Sequence, residues 1–142
     1  MRLWHHDLIM FLPNSQLVAQ WRELNSIYKK KDKHILINYV YEYSKRDLFI
    51  YSGLVIGEMI SRKMKIKSWE NYRNYFADLI QDINDGKINK NEYYDPFKNH
   101  HTNRYLLQCF YNLQEKYDRG QKDFSKIEYN LLESFVYGKS KN

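Results

Sequence analysis

Only two prolines, Pro13 and Pro96, and five glycines interrupt a chain of 142 residues. So few breakers leave long stretches free to continue a helix, and the apolar residues between them recur at helical spacing. Pro13 sits where a first helical turn tolerates a missing N–H. Leu17, Trp21, Leu24 and Tyr28 then form one stripe, and that helix is expected to end near the run Lys29-Lys30-Lys31-Asp32-Lys33. Asp47 can cap a second helix carrying Leu48, Tyr51, Val55 and Met59 on adjacent faces. Gly53 and Gly57, four apart on it, suggest a close helix contact. A further helix is expected over Trp69 to Asp82, followed by a turn at Asn84-Asp85-Gly86-Lys87. Thr102 can cap a helix with Leu106, Cys109, Phe110 and Leu113 as its stripe and Gly120 as its stop. Ser125-Lys126-Ile127-Glu128 matches a capping box, which opens a last helix ending near Gly138.

Two segments do not follow this period. From His34 to Tyr43 the residues Ile35, Ile37, Tyr39 and Tyr41 alternate like a strand. No second clear strand exists to pair with it, so an extended or loosely helical connection is expected. Residues 86–101 are polar and irregular. The expectation is an all-α fold: one compact domain over residues 1–142, of about five helices.

Composition narrows the function classes. A single cysteine, Cys109, excludes an internal disulfide framework and suits a reducing compartment. The best membrane candidate, Leu48 to Ile60, is too short for a span and contains Tyr51, Ser52 and Glu58. The first residues, with His5, His6 and Asp7, lack the apolar run of a signal peptide. The chain therefore reads as cytoplasmic, with no membrane partner. A formal net charge of +6 favours polyanions. Fourteen tyrosines and seven phenylalanines can fill a core or stack on bases.

The cations fall in three clusters: Lys29, Lys30, Lys31 and Lys33; Lys45 and Arg46; and Arg62, Lys63, Lys65 and Lys67. Each lies at an expected helix end, where cations complement the helix dipole and stay solvated. If the clusters converge on one face, they make a phosphate-binding surface. His5-His6 and His100-His101 invite a metal reading, but adjacent histidines on a helix diverge by about 100°. With no cysteine cluster and no His-x-x-x-His spacing, no metal site is expected. A histidine near the terminus can tune an amine or contact a phosphate.

The other chemical resource is the start of the chain. A free α-amine has an ordinary pKa of about 7.7–8.0, so part of it is neutral and nucleophilic near neutral pH. Arg22-Glu23 lies a fixed distance downstream, flanking the first stripe, and can reach the protein's edge. A terminus beside that glutamate is a candidate amine-nucleophile site; exposed helix charges are the plainer reading of the same pair.

From Met1-Arg2-Leu3-Trp4-His5 through Trp21-Arg22-Glu23-Leu24, and again at Lys33-His34 and Gly57-Glu58-Met59-Ile60-Ser61-Arg62, the sequence resembles the pyrimidine-dimer DNA glycosylase family. The phage ultraviolet-repair enzymes typify that family, and the start of this chain is similar to its bacterial branch. The resemblance covers about residues 1–120, which makes the helix over 125–138 an addition. It implies an all-α glycosylase and abasic-site lyase acting on double-stranded, damaged DNA without a cofactor. The N-terminal amine would attack C1′ of the damaged nucleotide and form a Schiff base. Glu23 would stabilise the cationic sugar and handle protons, while Arg22 would hold phosphate and the kinked duplex. Arg2 stands where the type enzyme has a small threonine, and a bulky second residue keeps Met1 in place. Met1 and Arg2 are thus both candidates for the amine. Leu3, Gln16 and Ser26 replace an arginine, a histidine and an arginine of the type enzyme. His5, His34 and Lys29 are candidate substitutes, with Lys30 and Lys33 as further DNA contacts. The alternative is a non-catalytic binder of distorted DNA on the same scaffold.

Overall fold

The computed structural model describes residues 1–89 and 91–140. Its elements are helices only: α1 (Asn14–Lys30), α2 (Lys45–Ser61), α3 (Trp69–Tyr75), α4 (Ala77–Asn84), α5 (Asn103–Asp118) and α6 (Lys126–Ser140), with 3-10 helices at His6–Phe11 and Asn38–Glu42. The all-α expectation holds. None of these helices is long and apolar enough to cross a membrane.

One core runs through the molecule. Leu17, Trp21, Leu24, Ile27 and Tyr28 of α1 meet Leu48, Tyr51, Val55 and Met59 of α2. Leu106, Cys109, Phe110 and Leu113 of α5 close it, with Leu132 and Val136 of α6 outside them. Each such side chain, fully buried, contributes about 1.5–3 kcal/mol relative to exposure. Tyr28 and Ser52 satisfy each other's hydroxyls inside this core. The excess of aromatics is largely structural: Trp21, Tyr28, Trp69, Tyr72 and Phe76 form one edge-to-face cluster where α3 packs on α1.

The capping signals act as the sequence implies. The Thr102 hydroxyl accepts from the Tyr105 N–H. Ser125 and Glu128 exchange both bonds of the capping box. Gly120 takes the left-handed conformation after α5, at φ 83°.

Three expectations need correction. The helix expected from Trp69 to Asp82 breaks at Phe76, which ends α3 and starts α4. Bending there buries the Phe76 ring completely against Tyr28, Phe49 and Tyr72. Asp47 lies inside the first turn of α2 rather than before it. Its carboxylate instead accepts from the Tyr94 hydroxyl at 2.9 Å and the Phe97 N–H at 2.8 Å. That anchor holds buried Phe97 at a φ of 59°, a conformation that costs a bulky residue about 1–2 kcal/mol. Gly53 and Gly57 make no close helix contact, since a Cβ on either would meet nothing within 4 Å. The segment from His34 to Tyr43 takes the loosely helical form expected as one alternative, a turn followed by the second 3-10 helix, and it buries Ile37 and Val40, three apart.

The first 3-10 helix was not expected, and it places the N-terminus. It packs on α2 and α6, and Lys139 of α6 ion-pairs with Asp7 on it. At its start, His5, His6 and His101 form a stack with ring centroids 4.4–5.5 Å apart. His5 Nε2 donates to the His101 carbonyl at 3.0 Å, and its Nδ1 accepts from the Asp7 N–H. His101 Nδ1 accepts from the His6 N–H, which leaves the proton on Nε2, 2.7 Å from the Tyr39 hydroxyl. Both rings are therefore neutral in the fold. Burial, reinforced by the neighbouring histidines, lowers His5 to about 4 and His101 to about 2.

The unfolded chain takes up these protons below the ordinary value of 6.5, whereas the folded chain does not. Stability therefore falls as pH drops from about 6.5 toward 4, by up to about 1.4 kcal/mol per pH unit for each ring. Urea unfolding across that range checks this, and His101→Phe should flatten the dependence.

Candidate functional site

Residues 1–5 run extended from the surface into the core, and side chains satisfy their backbone. Leu3, Trp4 and His5 are buried, while Met1 is exposed. Gln20, only 1% exposed on α1, supplies most of the anchoring. Its Nε2 donates to the Arg2 carbonyl and to Glu23 Oε2, both at 3.0 Å. Its Oε1 accepts from the Trp4 N–H at 2.8 Å. The Tyr51 hydroxyl lies 2.8 Å from that oxygen and 2.7 Å from the Trp4 carbonyl, and shares its one proton between them. The Tyr105 hydroxyl donates to the Leu3 carbonyl. A buried amide with both donors and its acceptor engaged has one arrangement open to it, so the segment is held in register.

The register sets the distance between terminus and carboxylate. Glu23 Oε2 accepts from the Arg2 N–H at 3.3 Å. Met1, Arg2, Gln16, Gln20 and Glu23 line a cleft of about 280 Å³ together with Leu36 and, from α5, Asn112 and Lys116. Burial raises the Glu23 pKa from its ordinary value. The Arg2 N–H, the charge of the terminus, Gln20 and Arg22 oppose that rise without cancelling it. A half-buried carboxylate beside a terminal amine can exchange protons and balance a developing cation.

Arg22 points the other way. It is exposed and lines a second groove, of about 430 Å³, with Lys29, Lys30, Asn25, Ser26, Lys67 and Asn71. Two of the three cation clusters thus meet, because the Trp21 indole donates to the Lys67 carbonyl at 2.8 Å and Asn71 donates to Asn25. Arg62, Arg46 and Lys45 are engaged elsewhere. Arg62 pairs with Glu58 and caps the Met10 and Leu12 carbonyls. Arg46 pairs with Glu92, and Lys45 lies over the Tyr75 ring. Lys33 and His34 are exposed on the turn after α1. The Arg2 guanidinium lies over the Tyr105 ring.

Two sequence readings change here. His5 leaves the set of DNA contacts, since it is 3% exposed and both ring nitrogens are engaged. His5 and His6 do not diverge as on an α-helix: with His101 they bring three ring nitrogens within 4.8 Å of one another. The rings stack, however, and the His5 and His101 lone pairs face backbone N–H groups. With both ring nitrogens of His5 and of His101 taken up by hydrogen bonds, the cluster as it stands packs the terminus. Gln20 was missed altogether. Its signal was a polar residue within the apolar stripe of α1, one position before Trp21.

Residues 1–71, half of the chain, match the family model described as Pyrimidine dimer DNA glycosylase. No curated protein and no solved structure matches the chain. The match spans the terminus, Gln20, Arg22, Glu23 and Lys67. The α5 residues of the cleft lie beyond it.

Gln20→Leu should leave the Arg2 carbonyl and Trp4 N–H unpaired, at about 1–3 kcal/mol each. Urea unfolding measures the loss, and amide exchange at Trp4 should accelerate.

Proposed function

We propose that this chain, which belongs to the pyrimidine dimer DNA glycosylase family, is a glycosylase and abasic-site lyase working through its terminal amine. Its substrate class is double-stranded DNA carrying an ultraviolet pyrimidine dimer or a related lesion. The observation that carries this reading is the bond from the Arg2 N–H to Glu23, which sets the first residue over a half-buried carboxylate in an open cleft.

In the proposed sequence the neutral α-amine of Met1 attacks C1′ of the damaged nucleotide. The glycosidic bond breaks, and its electron pair leaves on the base, which takes a proton. Loss of a proton from nitrogen and opening of the sugar ring give a Schiff base. A base then removes the C2′ proton and the 3′ phosphate departs, which cuts the strand by β-elimination. Water releases the amine. The covalent imine divides one hard step into easier ones. Glu23 balances the cationic sugar and takes the C2′ proton, a role favoured by its raised pKa. Gln20 acts through Glu23 and the terminus as a positioning residue. The Arg22 groove holds phosphate on the adjoining face of α1. Extrusion of the nucleotide costs least at damage, which supplies part of the selectivity. The location proposed for this work is the cytoplasm, in keeping with a lone cysteine that suits a reducing compartment.

Borohydride should trap a covalent adduct with an abasic duplex, mapped by peptide mass spectrometry to Met1. Glu23→Gln should slow strand cleavage by about 10²–10⁴-fold. Intact strands and no adduct, with salt-dependent binding retained, would make the protein a binder of distorted DNA instead. Arg22→Ala and Lys67→Ala should each lower the slope of log affinity against log salt by about 0.9.

A further inference from the structure

Ile35 is 85% exposed, the most of any large apolar residue among those described, and Leu36 beside it is 42% exposed. Such a pair on a turn tip is costly in water unless something covers it. The turn itself is built tightly. The Ile37 and Asn38 N–H groups both donate to the His34 carbonyl, at 2.8 and 2.9 Å. The Asn38 side chain accepts from the His34 N–H at 2.8 Å, and His34 Nδ1 accepts from the Leu36 N–H at 3.2 Å. Ile37 is fully buried and roots the turn in the core. The two apolar side chains are therefore presented on a fixed base.

Their surroundings identify the occupant. Leu36 forms part of the cleft that holds Met1 and Glu23. Lys31, Lys33 and His34 flank the tip and are exposed, and Lys29 and Lys30 of the phosphate groove precede it directly. An apolar tip with exposed cations on the chain just before it, and with Leu36 on the wall of the Glu23 cleft, suits a polyanion with an apolar interior. Among biological polymers that is a base stack.

We infer that Ile35 and Leu36 form a wedge that enters the DNA base stack beside the nucleotide delivered to the Glu23 cleft. The inference rests on the functional reading above and adds the device that opens the duplex. Apolar side chains inserted between base steps unstack and kink DNA, and the bent duplex then meets more of the protein surface. The cations beside the tip hold the backbone while Ile35 fills the space that the extruded nucleotide leaves. His34 positions the wedge through its turn bonds.

The test reads unstacking on a duplex with a non-cleavable abasic analogue and the fluorescent base aminopurine as its neighbour, and reads cutting on a duplex with a natural abasic site. Wild-type protein should raise the aminopurine emission as the base unstacks. Ile35→Ser, at an exposed position, should fold with an unchanged melting temperature, lose that rise, and cut a duplex about tenfold more slowly or worse. It should cut a single-stranded abasic oligonucleotide at the wild-type rate, because there is no stack to open. No emission rise with wild type, or equal rises with wild type and Ile35→Ser, would overturn the wedge. Cleavage is read separately: a wild-type rise that Ile35→Ser loses, with no strand cut by either protein, would uphold the wedge and sink the lyase reading.

Discussion

The buried amide of Gln20 is the constraint on which the rest of the site depends. An N-terminus is ordinarily the least ordered part of a chain, because few contacts repay the entropy of fixing it. Here one side chain binds the backbone at Arg2 and Trp4 and the carboxylate of Glu23 together. Tyr51 and Tyr105 complete the lattice from α2 and α5. The terminus is thus tied to three helices of the core, and the distance between residue 1 and the carboxylate follows from core packing.

Burial serves two purposes in this arrangement. Around His5 and His101 it keeps two rings neutral, so that they pack and hydrogen-bond without a counter-charge. Around Glu23 it is only partial, enough to raise the carboxyl while leaving it open to the cleft. The same physical cause keeps the two rings neutral and leaves the carboxyl raised at the cleft, and the depth of each group decides which. Arg22, one residue from Glu23, faces solvent and a cationic groove. A helix turn of about 100° per residue is what divides the charged chemistry of these neighbours between two faces.

Much of the fold was legible from local signals. The stripe of α1, the Thr102 cap and the Ser125–Glu128 box all specify structure through bonds within one turn of chain, and those held. The errors share a cause. Phe76, Asp47 and His5 each answer to a partner distant in sequence: the aromatic cluster, the Phe97 turn and His101. No local pattern carries those partners, and in each case burial overrode the local preference.

The sequence by itself determined the helical class, the end of α1, the caps that start α5 and α6, the family and the Arg22-Glu23 pair, because periodicity, caps and a motif at fixed distance from the start are local quantities. Only the tertiary structure decided that Lys67 of the third cation cluster shares a groove with Lys29 and Lys30 of the first, while Arg62 is consumed by carbonyls. It also decided that Gln20 clamps the terminus and that Ile35 stands out beside the cleft. Those facts depend on which helix faces pack together. Packing is settled by burying apolar area across the whole chain, and it is not written at any one position.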